Sequence, residues 1–306
     1  MKSGTEKRKL LVIAGPTAVG KSALGVQLAK EYNGEVISAD SRQVYKGLDI
    51  GTGKITKKEM RGVPHHLLDV ASPKKQFSVA EFQKLARKKI DDIHSRGKLP
   101  IIVGGTGLYI DTLLGKFTIP EVPPNPKLRK ELERKTTERL FTMLQKLDPR
   151  RAKTIDRHNP RRLVRAIEIV KALGKVPPLQ HSNILENVGV FYIGLALPHA
   201  VLKKNIAKRL QKRVRGMIVE VKRLHVAGLA WKRMEVFGLE YRYIARFLQK
   251  KVSREEMLAQ LEKEIGYYAK RQMTWFKRNG EIEWFSPMEA KKIGKLAQKF
   301  LRKTSS

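Results

Sequence analysis

Residues 15–22 have the types and spacing of a phosphate-binding loop (P-loop). The segment reads GPTAVGKS and matches the pattern G-x-x-x-x-G-K-[ST] between a predicted strand and a predicted helix. Backbone amides and the start of the helix can bind phosphate oxygens, the Lys21 ammonium can neutralise them, and the Ser22 hydroxyl can reach Mg²⁺. Most proteins with this motif hydrolyse or transfer phosphoryl groups, so a kinase or an ATPase is the first hypothesis. The predicted phosphate ligands are Gly15, Pro16, Thr17, Ala18, Val19, Gly20, Lys21 and Ser22.

Two further strand ends carry residues that can take part in chemistry. A predicted strand at 99–103 runs into the segment GGTG at 104–107, so the aspartate that usually holds the metal of a P-loop protein is missing there. A predicted strand at 35–38 ends at Asp40. The sequence alone is compatible with three roles for this carboxylate, as a metal ligand, a helix N-cap or a general base.

Strands that alternate with helices must position these residues. A capping box formed by Ser78 and Glu81 begins one helix, and the apolar residues after it recur on one helical face. Such alternation predicts a parallel sheet covered on both faces, with substrates at its carboxyl edge. The predicted strands are 9–14, 35–38, 99–103, 189–197 and a last edge strand at 281–285.

Four prolines between residues 120 and 126 divide this region from a highly charged helical stretch. We expect them to form a hinge, because a new apolar strand that belongs to the first sheet begins only at Gly189. The predicted fold class is therefore α/β, with a P-loop NTPase-like parallel-sheet core and a small inserted all-helical domain. The predicted domains are 1–120 (first part of the core), 121–188 (a helical insertion) and 189–306 (second part of the core, with basic C-terminal helices).

Positive charge dominates the chain. It has 64 Lys and Arg residues against 29 Asp and Glu residues, and the formal net charge of +35 exceeds what solubility requires. Residues 121–180 hold 16 basic and 7 acidic residues, and residues 201–250 hold 14 and 3. A generally basic proteome would spread the lysines evenly, which these counts do not support. Both stretches are therefore predicted to contact the phosphates of a polyanionic partner.

The composition also excludes several kinds of site. Without cysteine the chain has no disulfide, thiolate metal site or cysteine nucleophile, which fits a reducing compartment. No apolar run is long enough to span a bilayer or to act as a signal peptide, so we expect a cytoplasmic protein without a membrane partner. No third metal ligand can be identified for His65 and His66, so we expect both residues to be structural. We expect a monomer, since no feature indicates an oligomer.

Seven segments, in order, resemble the bacterial tRNA dimethylallyltransferase (isopentenyltransferase) family over nearly the whole chain. They are GPTAVGKS at 15–22, SADSRQVYKGLDIGTGK at 38–54, VPHHLLDV at 63–70, FSVAEF at 77–82, PIIVGGTGLYI at 100–110, NPRRLVRAIEI at 159–169 and AKRQMTWFKR at 269–278. The chain departs from the family pattern at residues 238–242, GLEYR, where many members have a shorter Gly-Tyr-Arg sequence. The role of this loop is therefore left open.

The resemblance implies transfer of a dimethylallyl group from dimethylallyl diphosphate to the exocyclic amine of the adenosine 3′ to the anticodon, with release of diphosphate. Lys21, Ser22 and Mg²⁺ would stabilise the charge that grows on the leaving diphosphate. Asp40 matches the family's general base, which accepts a proton from this weakly nucleophilic amine. Thr106 corresponds to a threonine near the reacting centre. Arg213 resembles a diphosphate-binding arginine, with Arg209 as the alternative.

The resemblance also implies contacts to the tRNA anticodon stem-loop, which must offset the cost of taking the target base out of its stack. Two alternatives stay open on the sequence: Trp275 and Phe276 could be core residues, and any single arginine within 161–165 could belong to a solvated helix face. The implied RNA-contacting residues are Asp40, Ser41, Arg42, Gln43, Arg161, Arg162, Leu163, Val164, Arg165, Lys270, Arg271, Gln272, Met273, Thr274, Trp275, Phe276 and Lys277.

Three classes of function compete for this sequence: a prenyltransferase acting on tRNA, a small-molecule P-loop kinase, and a non-catalytic RNA-binding ATPase. A kinase does not explain the net charge of +35 or the basic insertion. A binding protein does not explain why Asp40, Thr106 and the P-loop occur together in family spacing. The prenyltransferase is therefore the predicted function.

Overall fold

The computed structural model describes residues 8–178 and 188–303. Within them, six strands form one sheet in the order β3-β2-β4-β1-β5-β6, and every pairing is parallel. The strands are β1 (Arg8–Ala14), β2 (Gly34–Ala39), β3 (His65–His66), β4 (Leu99–Gly104), β5 (Val188–Leu195) and β6 (Glu283–Phe285). The prediction of an α/β fold with a parallel sheet is confirmed.

Thirteen α-helices accompany the sheet in the described part of the chain, together with a 3₁₀ turn at Pro287–Glu289. The helices are α1 (Lys21–Glu31), α2 (Lys57–Met60), α3 (Val79–Ser95), α4 (Gly107–Leu113), α5 (Pro126–Leu132), α6 (Thr137–Leu147), α7 (Pro149–Thr154), α8 (Pro160–Leu173), α9 (His199–Val226), α10 (Trp231–Met234), α11 (Leu239–Leu248), α12 (Arg254–Phe276) and α13 (Ala290–Arg302). No helix among the described residues is both long enough and apolar enough to cross a membrane.

The two faces of the sheet are covered by different helices. Side chains of β1 alternate between them: Leu11 and Ile13 join the core formed with α1, α9, α11, α12 and α13, whereas Leu10 and Val12 join the core formed with α3 and α4. The register aligns the carboxyl ends of the central strands, because Ala14 pairs with Gly104. The loops that follow β1, β2 and β4 therefore meet at one edge.

The chain divides into two compact units. The first comprises Met1–Leu114 and Ile184–Ser306, and the second comprises Gly115–Asn183. The second unit contains α5 to α8 and has an apolar core of its own, in which Leu132, Leu163 and Ile167 are fully buried. Asparagine side chains cap α5 and α8, each followed by a proline at the first helical position. The family resemblance implies that residues 121–188 bind tRNA, which stays a prediction, and residues 179–187 of this range lie outside the described part.

The short edge strand β3 was not predicted, because two residues are too few to show a period. It pairs with β2, and its His66 Nε2 lies 2.7 Å from the buried Glu35 carboxylate. Arg96 and Lys98 donate to the same carboxylate. The described residues hold no cluster of three or more groups able to ligate a metal, and the contacts of His66 are those of a structural residue.

Candidate active site

The loop after β1 has the backbone conformation of an anion-binding turn. Positive φ values occur at Gly15 (145°), Ala18 (62°) and Gly20 (103°), and conformations of this kind gather backbone N–H groups into a concavity. A Cβ on Gly15 would lie 2.5 Å from the carbonyl oxygen of Leu195, so only glycine fits there. The loop leads directly into α1, whose N-terminus favours a negative ligand.

Lys21 and Ser22 stand in the first turn of α1. Lys21 Nζ donates to the Pro16 carbonyl oxygen at 2.7 Å. Burial lowers the pKa of Lys21 to about 8; the nearby Asp40 carboxylate opposes this change and the Arg209 guanidinium adds to it. Ser22 is exposed, and its Oγ has no hydrogen-bond partner among the described residues. An ammonium and a hydroxyl are thus available to a bound diphosphate.

Asp40 and Thr106 follow the neighbouring strands β2 and β4 and meet at the same edge. Asp40 Oδ1 accepts hydrogen bonds from the backbone N–H groups of Arg42 (2.8 Å) and Gln43 (3.4 Å). No group of the described residues donates to Asp40 Oδ2. Thr106 Oγ1 accepts the N–H of Ser41 at 3.0 Å. One carboxylate oxygen therefore fixes the turn while the other is open to a substrate.

Gln272 joins two of these loops from α12. Its Nε2 donates to the Gly105 carbonyl oxygen, and its Oε1 accepts the N–H of Thr17, both at 2.9 Å. A Cβ on Gly105 would lie 2.3 Å from this Nε2, so the approach requires glycine. The amide thus sets the distance between the P-loop and the turn after β4.

Both candidate arginines of α9 reach the P-loop side of the site. Arg209 Nη1 donates to Thr17 Oγ1 at 3.4 Å, and Arg209 and Arg213 line one pocket with Thr17 and Thr52. Burial lowers the pKa of Arg213 to about 10, and Arg209 contributes to the same change. Arg213 Nη2 is buried without a hydrogen-bond partner among the described residues. The family resemblance favours Arg213 with Arg209 as the alternative, whereas the structure brings both guanidinium groups to one pocket.

Two acidic residues near this pocket were missed by the sequence reasoning. Glu240 lines the pocket, and burial raises its pKa although Arg213 and Arg209 oppose that rise. Glu220, on α9, accepts hydrogen bonds from the loop that contains Thr52. A signal was present in the sequence, because residues 201–250 contain only three acids among fourteen basic residues.

The predicted RNA-contacting residues of α12 divide into exposed and buried positions. Lys270, Arg271, Thr274 and Lys277 are exposed, and Met273 is half-buried. The structure corrects two of the expected contacts, because the side chains of Gln272 and Phe276 are 6% and 1% exposed and face the protein. Phe276 is therefore the core residue of the alternative interpretation.

Trp275 is neither fully exposed nor fully buried. It is half-buried, its Nε1 donates to Asp111 Oδ2 at 2.7 Å, and its ring is so close to Gly107 that a Cβ there would lie 2.2 Å from Cδ1. Among the predicted contacts before α12, Ser41, Arg42 and Gln43 are half-buried. The Gln43 side-chain amide donates to the carbonyl oxygens of Thr52 and Gly53 at 3.5 and 3.4 Å, so this side chain has a structural role in the site.

The predicted RNA-contacting residues of α8 also differ in exposure. Arg161 and Arg162 are exposed, but Leu163 and Val164 are buried in the core of their unit, which corrects the expected contacts of these two side chains. Arg165 Nη1 donates to the buried Glu168 carboxylate at 2.7 Å and Nη2 to the Val122 carbonyl oxygen at 2.8 Å. Arg165 therefore has a structural role in its unit.

Comparisons with known proteins identify relatives of this chain. A family model described as IPP transferase matches residues 43–279. The chain is 43% identical over 282 residues to a tRNA dimethylallyltransferase of Anoxybacillus flavithermus and 44% identical over 280 residues to tRNA dimethylallyltransferase 2 of Citrifermentans bemidjiense, each alignment covering 90% of both chains.

Solved structures give the same result. The crystal structure of the full-length tRNA isopentenylpyrophosphate transferase from Bacillus halodurans has a TM-score of 0.72 at 39% identity and covers 96% of this chain and 97% of its own. A eukaryotic dimethylallyltransferase acting on tRNA has a TM-score of 0.79 at 26% identity, over 98% of this chain and 81% of its own. The chain belongs to the IPP transferase family.

Proposed function

We propose that the chain is a tRNA dimethylallyltransferase, which transfers a dimethylallyl group from dimethylallyl diphosphate to the exocyclic amine of the adenosine 3′ to the anticodon. One observation carries the proposal. The P-loop, the open oxygen of Asp40 and the hydroxyl of Thr106 meet at one edge of the sheet in a member of this family. That edge joins a diphosphate site to a proton acceptor, as the reaction requires.

The donor half of the site stabilises a leaving diphosphate. As the bond between the allylic carbon and oxygen breaks, negative charge grows on the diphosphate, and the P-loop amides, Lys21, Arg209 and Arg213 are placed to interact with it. The free Ser22 Oγ is the oxygen donor that Mg²⁺ prefers, and this ion commonly binds one or two protein oxygens together with substrate phosphates. A bound Mg²⁺ would supply further neutralisation of the diphosphate charge.

The acceptor half of the site activates a weak nucleophile. The exocyclic nitrogen of adenine forms a bond to the allylic carbon while it loses a proton, and Asp40 Oδ2 accepts that proton. Oδ1 keeps the carboxylate in place through the N–H groups of Arg42 and Gln43. The charges balance, because one proton goes to the carboxylate and the electron pair of the broken bond leaves with the diphosphate.

The RNA contacts follow from exposed positive charge. Lys270, Arg271 and Lys277 on and beside α12 are exposed, and Arg161 and Arg162 are exposed on α8 of the other unit. Phosphate contacts of this kind position the RNA, whereas the chemistry belongs to the sheet edge. A tRNA substrate supports the predicted cytoplasmic location, and the monomeric state stays a prediction.

The kinase hypothesis has no support in the site. β4 ends at Gly104 and continues to Gly105, so no aspartate follows it. The related proteins described above are named as transferases of a dimethylallyl or isopentenyl group, and none of them is named as a kinase.

Mass spectrometry of nucleosides tests the proposal. The purified chain is incubated with an unmodified tRNA transcript, dimethylallyl diphosphate and Mg²⁺, and the digested RNA is examined for dimethylallyl-adenosine. A transcript with guanosine at the target position is the matched control and should stay unmodified. ATP hydrolysis or phosphoryl transfer to a small molecule, without prenylation of RNA, would instead support the kinase.

A further inference from the structure

Glu220 is a buried carboxylate in the C-terminal part of the long helix α9. The residue is only 3% exposed, yet its carboxylate has a hydrogen-bond donor on every side. Oε2 accepts the N–H groups of Asp49 (3.0 Å) and Ile50 (2.7 Å), and Oε1 accepts the N–H of Gly51 (3.0 Å) and the hydroxyl of Tyr241 (2.6 Å). Three consecutive backbone amides thus converge on one side chain.

The amides belong to residues 49–53, here called the 49–53 loop, which forms one wall of the pocket beside the P-loop. At its far end a Cβ on Gly53 would lie 1.8 Å from Arg209 Nη2 and 2.9 Å from Arg213 Nη1. At its near end a Cβ on Gly51 would lie 2.5 Å from the Tyr241 ring. The loop therefore packs between an aromatic ring and two guanidinium groups, and on its side it limits where those groups can lie.

The Glu220 carboxylate also acts on Arg213 through its charge. Burial and the neighbouring Arg209 lower the pKa of Arg213, whereas Glu240, Tyr241 and Glu220 raise it. Arg213 Nη2 is buried and without a partner in the described part of the chain, so a diphosphate oxygen can take that place. Glu220 therefore lies beside this donor in two ways, through the loop that packs against Arg213 and as one of the acidic groups that favour its charged form.

We propose that Glu220 is a positioning residue for the prenyl donor: through the 49–53 loop it holds Arg209 and Arg213 in the geometry that binds the diphosphate. The inference rests on the proposed function, which supplies the identity of the ligand. Glu220 does not touch the substrate. Its effect should fall mainly on donor binding, because the N–H groups that hold the proton acceptor Asp40 belong to Arg42 and Gln43 and not to the 49–53 loop.

The carboxylate cannot be replaced by an amide of the same shape. In Glu220→Gln, one oxygen becomes an NH₂ group, which faces the N–H groups of Asp49 and Ile50 in one orientation and the N–H of Gly51 in the other. In each orientation the NH₂ group points at a backbone N–H, so two hydrogen-bond donors face each other without an acceptor. Tyr241→Phe is the milder variant, because it removes one hydrogen bond to the carboxylate and leaves all three amides paired.

Binding of inorganic diphosphate to the full chain, followed by isothermal titration calorimetry, tests the proposal without RNA or turnover. Glu220→Gln should weaken binding at least about tenfold, the effect of losing one hydrogen bond to a charged group, and Tyr241→Phe should weaken it less. Glu35→Gln is the matched control: Glu35 is also a buried carboxylate with several partners, but it lies at the opposite end of β2 from the site. It should bind diphosphate as the wild type does.

Steady-state kinetics then separate positioning from stability. With Glu220→Gln, the KM for dimethylallyl diphosphate should rise while kcat and the KM for tRNA stay close to wild type; a loss of folded protein would lower kcat and leave the donor KM unchanged. Unchanged diphosphate binding by folded Glu220→Gln overturns the proposal. If that variant does not fold, wild-type binding by Tyr241→Phe overturns it. If the wild-type protein binds diphosphate but does not prenylate tRNA, the proposed function fails and the positioning role of Glu220 is judged by binding alone.

Discussion

Gln272 Nε2 donates to the carbonyl oxygen of Gly105 across 2.9 Å, although the two residues are 167 positions apart in the chain. The same amide accepts the N–H of Thr17 through Oε1. One side chain of α12 therefore connects the P-loop, which is placed to bind the donor, to the turn after β4, which carries Thr106. This amide therefore links the two halves of the site directly.

Replacement of Gln272 by alanine should damage the site without weakening RNA binding. The change leaves the N–H of Thr17 and the Gly105 carbonyl unpaired, which should lower the free energy of unfolding by about 1–3 kcal/mol. The kcat/KM for the donor should fall, because the P-loop is no longer held. Urea denaturation and kinetics measure both effects. Gln260→Ala, an exposed glutamine on the same helix outside the predicted RNA contacts, is the control; a loss of tRNA affinity in Gln272→Ala would restore the RNA-contact role.

Asp40→Asn should reduce turnover about 10²- to 10⁴-fold, the usual range for loss of a general base. Asparagine keeps an oxygen that can accept the N–H groups of Arg42 and Gln43, so the turn and the diphosphate affinity should stay close to wild type. Single-turnover kinetics with saturating tRNA and donor measure the chemical step. If the variant prenylates normally at high Mg²⁺ concentration, Asp40 is a metal ligand and not the base.

Donor binding should weaken as pH rises through the pKa of Lys21. Burial lowers this pKa from its ordinary value of 10.5 to about 8, so the free enzyme loses the ammonium that faces the diphosphate above pH 8. The kcat/KM for the donor should therefore fall with pH by up to about tenfold per unit above that pKa. Bound diphosphate stabilises the ammonium form of Lys21 and so raises its pKa in the complex. The kcat should therefore fall only at a higher pH than kcat/KM does.

Lys21→Arg separates this titration from other ionisations. Arginine stays charged throughout the accessible range, so the variant, even with reduced activity, should show no decline near pH 8. Measurements of inorganic diphosphate affinity between about pH 7 and 10 follow the same group without turnover. A decline that persists in Lys21→Arg would assign the titration to another group.

Local sequence patterns predict the residues of the site but not the contacts that hold them. The P-loop, Asp40 and Thr106 each follow a short apolar run, so the strand ends that present them can be found from neighbours in sequence. Gln272 cannot be found in this way, because its partner Thr17 lies 255 positions away. The hydrogen bond from the Gly51 N–H to Glu220 joins residues that are 169 positions apart, so a local sequence pattern cannot reveal it either.

The same limit explains the mixed outcome for the basic residues. Positive charge predicts basic surfaces within residues 121–180 and 201–250, and the family resemblance adds α12, but neither reveals which cations have acidic partners. Arg165 is close in sequence to Arg161 and Arg162, yet only Arg165 reaches the buried Glu168. Burial alone would raise the pKa of Glu168, and hydrogen bonds from Arg129, the Asn125 amide and Arg165 outweigh it, so the net pKa is lowered.

The arginines of α8 should therefore differ when they are neutralised. Arg161→Gln with Arg162→Gln removes exposed charges, so tRNA affinity should fall. The slope of log affinity against log salt should flatten by up to about 0.7–0.9 for each RNA phosphate that the variant no longer neutralises. Fluorescence anisotropy of a labelled anticodon stem-loop across a salt series measures this slope. Turnover at saturating tRNA should fall far less than in Asp40→Asn, since these residues position the RNA.

Arg165→Gln is the matched variant with the opposite expectation. It removes one partner of the buried Glu168 while Arg129 remains, so it should destabilise the protein by about 1–3 kcal/mol. Its salt slope, measured on the folded fraction, should match the wild type, because this guanidinium is already engaged within its unit. Thermal denaturation read beside the anisotropy titration distinguishes the two variants. An unchanged slope and affinity in the double variant would make Arg161 and Arg162 an ordinary solvated helix face, and RNA binding would then be sought along the exposed cations of α9 between Lys203 and Arg223.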